Sequence, residues 1–230
     1  MLIQNLNKII FIHGWLFGSY IWKNMQEYFP NVFSNELVSL PGYHKSSTKE
    51  CAHEVIDTIL GSAKKDVMII AYSHTATRIL LSSELRNCNA TIILINPFLK
   101  PKTGSVSMLK DNLIKDFDSG VKKFIYESVK GNNFTKTNFI KLRNLFYSNY
   151  VPKKDSLILE LDEMNNLNVS KFKVSFRENL VILLSDNDEV CDTEMINVLK
   201  LNNINTVTLK NSPHYPFFDF KEICETIELL

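Results

Sequence analysis

The stretch that decides the fold runs from Ile69 to Ala76 and reads IIAYSHTA. An apolar run ends at Ala71, Ser73 follows two residues later, and a segment that favours a helix begins at once. A serine on so sharp a strand-to-helix turn projects its hydroxyl above the sheet edge, and the new helix N-terminus stabilises developing negative charge. Taken alone, such a serine is more often a helix N-cap than a nucleophile. Ser73 is therefore a candidate nucleophile that needs support from elsewhere in the chain.

Short, continuously apolar runs recur along the chain and alternate with segments that favour helices. Continuous hydrophobicity indicates burial on both faces, as in a parallel sheet covered by helices. Strand and helix in alternation predict an α/β fold with right-handed crossovers, here a mostly parallel sheet of about six strands flanked by helices. The predicted strands are 9–12, 36–39, 66–71, 91–95, 180–184 and 205–209. The predicted helices include 74–86, 192–200 and one that begins at Ser47, with Glu50 completing a capping box.

The alternation stops between residues 100 and 173, where aromatic and aliphatic residues recur at helical spacing. A helical insertion between two strands of a sheet is a natural cap. We therefore predict an α/β core of residues 1–99 and 174–230 and a helical cap, or lid, of residues 100–173. Aromatic residues at this spacing are more often core, but four of them are candidates to line an acyl channel: Phe117, Phe124, Phe139 and Phe146.

Two later segments supply partners for Ser73. The sequence SDNDEV follows the strand at 180–184 directly, at the carboxyl edge where open α/β sheets build their sites, and His214 lies in a loop after the last strand. A catalytic histidine takes the proton of the serine, and a carboxylate fixes the histidine tautomer. We predict Asp188 as the acid, because Val190 and Asp192 then follow at the spacing of a D-x-V-x-P pattern. Asp186 remains the alternative.

The loop after the first strand, FIHGW, predicts an oxyanion hole. Gly14 lets the chain turn so that a backbone N–H faces the site, and we assign the N–H groups of Trp15 and His74 as the two donors. No histidine shows metal-ligand spacing with another His, Cys or acid, so we expect no metal ion and no cofactor. The other histidines are expected to be structural or surface residues: His13 behind the loop, His44 in a loop and His53 on a helix surface.

The composition is that of an ordinary globular chain of 230 residues, with a formal net charge of +1 that gives no general attraction to nucleic acid. The 4 cysteines are scattered and form no CxxC pair, as expected for reduced thiols. The N-terminus lacks the pattern of a signal peptide, and no stretch approaches the ~20 apolar residues that cross a bilayer. We expect a cytoplasmic monomer that binds neither nucleic acid nor a membrane.

Several motifs together resemble those of the α/β-hydrolases. The motifs are His13-Gly-Trp15 with the later Trp22, the segment LPGYHKS at 40–46, the serine turn at Ser73, the Asp188 loop and His214-Tyr-Pro-Phe217. Their order and spacing look most like the BioH-type pimeloyl-[acyl-carrier protein] methyl ester carboxylesterases of biotin synthesis. The resemblance covers both ends of the chain and little of the cap.

The resemblance implies roles for the matched residues. In that family the residues that match Ser73, Asp188 and His214 form the catalytic triad, and those that match Trp15 and His74 give the oxyanion N–H groups. The sequence departs from the usual G-x-S-x-G turn, because both glycines are replaced, by Ala71 and Thr75. Thr75 is the more awkward replacement, since a β-branched residue has to fit a crowded place.

The charge of the chain is unevenly distributed. Residues 100–154 carry twelve basic and four acidic side chains, a charge of +8, so the remainder carries −7 of the net +1. A basic cap on an acidic body attracts an acidic macromolecule, such as the acyl carrier protein that the resemblance implies. Lysine-rich solvated helices without a partner explain the charge equally well. The candidate residues for binding the carrier protein are Lys122, Lys123, Lys130, Lys141 and Arg143.

The leading hypothesis is a serine carboxylesterase that hydrolyses an acyl ester, with the methyl ester of pimeloyl-acyl carrier protein as the preferred substrate. A general short-chain esterase or a thioesterase is the nearest alternative. The lost elbow glycines motivate a third hypothesis, a catalytically silent protein that uses the hydrolase fold to bind a ligand or a partner.

Overall fold

A computed structural model describes residues 6–30, 32–43, 51–98, 105–131, 133–149, 152–167, 177–191, 199 and 203–230. Six β-strands form one sheet: β1 (Lys8–Ile12), β2 (Ser34–Val38), β3 (Val67–Tyr72), β4 (Thr91–Ile95), β5 (Leu180–Ser185) and β6 (Asn205–Leu209). Every residue of β4, and all but the first of β3, is buried, as their continuous hydrophobicity predicts.

The strand order is β2-β1-β3-β4-β5-β6, and all five pairings are parallel. Ile12 pairs with Ala71, Ala71 with Leu94, and Leu94 with Ile182, so the carboxyl ends of the central strands lie side by side. The predicted α/β class and the parallel sheet of about six strands are confirmed. Loops that follow these strands therefore meet at one edge of the sheet, where such folds place their sites.

The described residues also form eight α-helices. They are α1 (Lys23–Tyr28), α2 (Ala52–Ser62), α3 (Ser73–Leu81), α4 (Ser105–Lys115), α5 (Phe117–Val129), α6 (Thr135–Ser148), α7 (Lys154–Asn165) and α8 (Phe220–Leu229). Helices α4 to α7 fill the stretch assigned to the cap and pack on one another, α4 against α5 and α7, and α5 against α6. The division into core and cap remains a prediction. No described helix is long and apolar enough to cross a membrane.

Two helix boundaries differ from those predicted. Helix α3 ends at Leu81 rather than at residue 86, because Ser82 is extended and its hydroxyl donates to Asp57 and accepts from the N–H of Glu84. A short 3₁₀ turn follows at Glu84–Asn87. Helix α2 begins at Ala52, after the extended N-cap residue Cys51, and its capping box is formed by Cys51 and Glu54. The predicted box of Ser47 and Glu50 lies outside the described residues, as does the 192–200 helix apart from residue 199.

Candidate active site

Ser73 begins α3 directly after β3 and has a positive φ of 54°. A left-handed backbone is uncommon for a residue with a side chain, and a serine held there sits on a strained, sharp turn. The turn aims the hydroxyl away from the sheet toward the loops that follow the other strands. Ser73 is 6% exposed, and its hydroxyl is therefore reached only through the cavity that it lines.

His214 joins Ser73 to Asp188 through two hydrogen bonds. The Oγ of Ser73 lies 3.0 Å from Nε2 of His214, and Nδ1 of His214 lies 2.6 Å from Oδ2 of Asp188. Each residue follows a different strand, Ser73 after β3, Asp188 after β5 and His214 after β6, so the parallel sheet brings them to one edge. The imidazole is 1% exposed, which protects these hydrogen bonds from competition with water.

Three groups hold Asp188 as an anion. Burial alone would raise the pKa of its carboxyl, but the charge and hydrogen bond of His214, together with the backbone N–H groups of Cys191 and Val190, outweigh burial and lower the pKa. The two backbone groups donate to Oδ1, at 3.0 Å from Cys191 and 2.8 Å from Val190. Oδ2 is therefore left to His214.

Asp186, the alternative acid, makes different contacts. Its Oδ1 accepts a hydrogen bond from the backbone N–H of Ser212 at 3.1 Å, and its own N–H donates to the carbonyl of Leu209. Asp186 thus stabilises the loop that carries His214. The structure brings Asp188, not Asp186, against the imidazole.

Two residues that the sequence analysis missed position the backbone of His214. The hydroxyl of Tyr72 donates to the His214 carbonyl at 3.0 Å, and the amide of Asn96 donates to the same oxygen at 2.8 Å. Asn96 follows β4, has a φ of 48° and also bonds Ser185. The Asn-Pro pair after an apolar strand was the available signal, because it marks a turn at the carboxyl edge.

The glycine loop predicted to build the oxyanion hole packs against the serine turn. A Cβ added at Gly14 would lie 2.9 Å from the carbonyl oxygen of Tyr72 and 3.0 Å from the Cβ of Ser73, so only glycine allows this approach. Trp15 follows Gly14 and lines the same cavity as Ser73. The assignment of the Trp15 and His74 N–H groups as oxyanion donors remains a prediction.

The other three histidines are those expected to be structural or surface residues. His13 lies behind the loop, and its ring accepts a hydrogen bond from the N–H of Leu40. His53 is exposed on α2, and His44 lies outside the described residues.

The two replaced elbow glycines are accommodated. Ala71 is fully buried in β3, and Thr75 is 1% exposed. The hydroxyl of Thr75 donates a 2.6 Å hydrogen bond to the carbonyl of His13, in the glycine loop. Thr75 thus makes a specific polar contact at the place where crowding was expected.

A cluster of polar and charged side chains lies behind the site, between α3 and α7. The guanidinium of Arg78, 2% exposed, forms an ion pair with Glu163, and Nδ1 of His74 lies 3.8 Å from Glu160. Burial, then the charge of Arg78, lowers the pKa of His74 well below its usual value, so its side chain stays neutral. Burial raises the pKa of Glu160, whose carboxyl accepts from the hydroxyl of Tyr43 at 3.2 Å. Sequence reasoning missed this group, because its members are far apart in the chain.

A cavity of about 430 Å³ opens over Ser73, within the size range of small-molecule sites. Phe124 lines it, but Phe117, Phe139 and Phe146 are not among its described lining residues; Phe146 is fully buried in the core. The predicted acyl channel of four phenylalanines is therefore wrong in three of its members. The cavity is lined by Trp15, Ser73, Phe98, Val106, Met108, Leu109, Asn112, Lys123, Phe124, Glu127, Leu161, Met164, Glu189 and Val190.

The five candidate carrier-binding residues lie on or at the ends of α5 and α6, which pack together. Lys123 lines the cavity over Ser73. Lys141 lies 5.9 Å from the ring centre of Phe218, four residues after His214. Lys122 is exposed, Lys130 lies 3.7 Å from Glu127, and Arg143 lies over the ring of Phe139. Their role in binding stays a prediction.

Cys191 is the one further reactive group beside His214 among the described residues. Its Sγ lies 3.6 Å from Nδ1 of His214. The thiol, the imidazole and the carboxylate of Asp188 offer three potential metal-ligand atoms within 4.8 Å of one another. The sequence analysis expected no metal because it considered spacing along the chain alone.

The whole arrangement matches known structures. An esterase from Exiguobacterium antarcticum superposes with a TM-score of 0.76 at 17% identity, covering 96% of this chain and 90% of that one. A bromoperoxidase from Bacillus anthracis superposes with a TM-score of 0.73 at 13% identity, covering 97% and 91%. The chain has the α/β-hydrolase fold. An α/β-hydrolase fold carries esterases and haloperoxidases alike, so the fold by itself does not select the reaction.

Comparison of sequences finds a relative along most of the chain. The pimeloyl-[acyl-carrier protein] methyl ester esterase of Wigglesworthia glossinidia brevipalpis is 26% identical over 226 residues, covering 91% of this chain and 87% of that protein. No protein-family model matches the chain. The chain described here is thus similar to a pimeloyl-[acyl-carrier protein] methyl ester esterase along nearly its whole length.

Proposed function

We propose that the protein is a serine carboxylesterase in which Ser73 is the nucleophile, His214 the base and Asp188 the acid. The observation that carries the proposal is the hydrogen-bonded series from the Ser73 hydroxyl through both ring nitrogens of His214 to Asp188, at 3.0 and 2.6 Å. Such a series activates a hydroxyl, because the base lies within reach of the proton and a third group orients the base. A binding protein would have no need of it.

The reaction has two halves. Ser73 attacks the ester carbonyl as His214 takes the hydroxyl proton, and the tetrahedral oxyanion is stabilised by the N–H groups of Trp15 and His74. His214 then protonates the departing alcohol, which leaves an acyl group on Ser73. Water activated by His214 hydrolyses this acyl-enzyme and releases the acid. The anionic Asp188 stabilises the imidazolium at each stage.

The preferred substrate proposed is the methyl ester of pimeloyl-acyl carrier protein. The relative from Wigglesworthia carries that activity in its name, at 26% identity. The cavity over Ser73 is mainly apolar, with Val106, Leu109, Leu161 and Met164 in its lining, which suits an aliphatic chain. Asn112, Lys123 and Glu127 add polar groups from α4 and α5, and these suit the amide-bearing arm that links the acyl chain to its carrier.

The charge of α5 and α6 supports the carrier protein as partner. Residues 100–154 carry +8 against −7 for the rest of the chain. A concentrated positive surface near the entrance steers an acidic partner toward it and speeds association at low salt. Lys122, Lys123, Lys130, Lys141 and Arg143 are the proposed contacts.

The decisive experiment compares wild type and Ser73→Ala on two substrates, a short p-nitrophenyl ester and the carrier-linked methyl ester. We expect wild type to cleave the carrier-linked ester at least tenfold faster in kcat/KM, and the variant to lose at least about 10³-fold on both. Cleavage of the small ester alone identifies a general esterase. Faster cleavage of an acyl-carrier thioester identifies a thioesterase. A wild type that cleaves none, and that a fluorophosphonate does not label at Ser73, is a silent binding protein.

A charge reversal tests the partner separately. Lys122→Glu with Lys141→Glu should lower kcat/KM for the carrier-linked ester about tenfold relative to the p-nitrophenyl ester, with a weaker salt dependence. The charge-matched control is Lys64→Glu with Lys65→Glu, since both lysines are exposed just before β3, at the opposite edge of the sheet. An equal effect of control and double variant would show that the basic helices bind no carrier protein.

A further inference from the structure

We propose that Asp188, Cys191 and His214 form a binding site for one Zn²⁺ ion, and that occupation of this site switches the active site off. The inhibitory part rests on the proposed function of Ser73 and His214, whereas binding itself does not. The three side chains supply a carboxylate oxygen, a thiolate sulfur and an imidazole nitrogen, which are the donors that zinc prefers. Their ligand atoms already lie within 4.8 Å of one another.

Two of the three ligand-atom separations are near those around a tetrahedral ion. Zinc bonds of about 2.3 Å to sulfur and about 2.0 Å to nitrogen, at a tetrahedral angle, place the two ligand atoms about 3.5 Å apart. Sγ of Cys191 and Nδ1 of His214 lie 3.6 Å apart. Oδ2 of Asp188 lies 2.6 Å from the same nitrogen and has to retreat by less than about 1 Å to make room for the ion.

The loop after β5 holds two of the ligands together. Asp188 and Cys191 are three residues apart, and Oδ1 of Asp188 accepts the backbone N–H groups of Val190 and Cys191. This turn fixes the carboxylate and the thiol on the same side of the loop, facing the ring of His214. The site is therefore largely formed before the ion arrives, which lowers the cost of ordering its ligands.

Access and selectivity also favour zinc. Asp188 keeps 13% of its side chain exposed, and its neighbours Glu189 and Val190 line the cavity over Ser73. An ion in the cavity therefore reaches the loop that carries the carboxylate. Thiolate and imidazole ligands select zinc over magnesium, which prefers oxygen ligands and retains its water.

Binding changes the protonation of His214 in the way that stops catalysis. The ion takes the lone pair of Nδ1, so the ring carries its proton on Nε2 instead. The thiol of Cys191 loses its proton to water, and one proton per ion is released. An Nε2–H donates to Ser73 and cannot accept the proton of its hydroxyl, so the serine is no longer activated even if no atom of Ser73 moves.

Two measurements test the site. The first is ZnCl₂ uptake, measured by competition with a chromophoric chelator; the second is the dependence of p-nitrophenyl ester hydrolysis on free Zn²⁺, with MgCl₂ in parallel. We expect one zinc per chain, inhibition that a chelator reverses, and no effect of magnesium at the same concentration. Cys191→Ser should raise the zinc concentration for half-inhibition at least tenfold, each variant being compared with its own metal-free rate.

Cys51→Ser is the matched control, because Cys51 is exposed at the start of α2 and serine is a good N-cap there. The control should keep the wild-type response to zinc. Equal inhibition of wild type and Cys191→Ser, or equal inhibition by magnesium, would overturn the proposal. If the protein hydrolyses no ester but still takes up one zinc in a Cys191-dependent manner, the metal site stands and the proposed esterase function fails.

Discussion

The hydroxyl of Thr75 donates a 2.6 Å hydrogen bond to the carbonyl oxygen of His13. Thr75 lies in the first turn of α3, two residues after Ser73, and His13 directly follows β1. The bond therefore ties the serine turn to the loop that carries Gly14 and Trp15. At the position where the usual G-x-S-x-G turn has glycine, this chain gains a buried contact between the two halves of its active site.

Thr75→Val should impair both stability and catalysis. Valine keeps the shape but removes the buried hydrogen bond from Thr75 to the His13 carbonyl, and loss of such a bond costs about 1–3 kcal/mol. The loop that positions Trp15 is then less well fixed, and we expect kcat to fall more than KM changes. Thermal unfolding and ester hydrolysis measure the two effects. Thr75→Ser keeps the hydroxyl and should retain most of both; equal losses in the Ser and Val variants would point to packing instead.

Gly14→Ala should abolish most activity. Its added Cβ would meet the Tyr72 carbonyl oxygen at 2.9 Å and the Cβ of Ser73 at 3.0 Å, so the serine turn or the loop has to move. A misplacement of about 1 Å in an active site costs about 10²-fold, and loss of one oxyanion donor costs about 10²–10³-fold. We therefore expect kcat to fall by about 10²-fold. Steady-state kinetics on the p-nitrophenyl ester measure the loss.

Gly61→Ala is the matched control for that substitution. Gly61 lies in α2, and its added Cβ would meet only Glu84 Oε2, at 3.7 Å. Alanine should leave activity intact and stabilise the protein by about 0.5–1 kcal/mol, since glycine is a poor helix former. Full activity in Gly14→Ala would show that the loop does not bear on the reaction.

Asp188→Asn and Asp186→Asn should separate the two acids. The amide at position 188 cannot hold the catalytic tautomer of His214 or stabilise its charge, so kcat should fall by about 10⁴-fold. An amide at position 186 still offers an oxygen to the N–H of Ser212, and its effect should be below about tenfold. The kcat of each purified variant decides between them; the reverse order would make Asp186 the acid.

Glu160→Gln should stabilise the protein relative to wild type increasingly as the pH rises. Burial raises the pKa of Glu160, so the unfolded chain releases this proton more readily than the folded protein does. The contribution of Glu160 to the stability of the wild type is therefore lost as the pH rises above its unfolded pKa of about 4.3 and through its higher folded pKa. Glutamine does not titrate, and the difference in Tm between variant and wild type should grow from about pH 4 to about pH 7.5.

Glu222→Gln is the control for that measurement, because Glu222 is exposed on α8 and its replacement removes one negative charge without touching the buried group. Above about pH 4, the Tm difference between Glu160→Gln and wild type has to exceed that between Glu222→Gln and wild type at every pH. A Tm difference for Glu160→Gln that stays constant across this range would show that burial does not perturb the carboxyl in the folded protein.

Local pattern was enough to predict the strands. Thr91–Ile95 and Asn205–Leu209 have the predicted bounds, because apolar runs bounded by polar residues mark buried strands closely. Strands β1 and β5 differ by one residue at one end, and β3 by one residue at both ends. The prediction for β2 was less accurate, since this partly exposed strand begins two residues before and ends one residue before the predicted 36–39. The end of α3 was missed, because Ser82 stops the helix through side-chain contacts with Asp57 that no local pattern contains. The prediction of three channel residues was wrong for a related reason. Helical spacing shows that a side chain such as that of Phe146 is buried, but not whether it packs in the core or lines the cavity.

The sequence by itself determined the α/β class, the parallel sheet and the chain order of Ser73, Asp188 and His214. The hydrophobic period and the succession of segments along the chain can both be read without the tertiary structure. Only the tertiary structure decided which acid faces the imidazole, how Thr75 fits its place, and that Cys191 lies beside His214. These are relations across the sheet edge between segments separated by up to 62 residues. The parallel pairing of strands sets such distances, and no spacing along the chain encodes them.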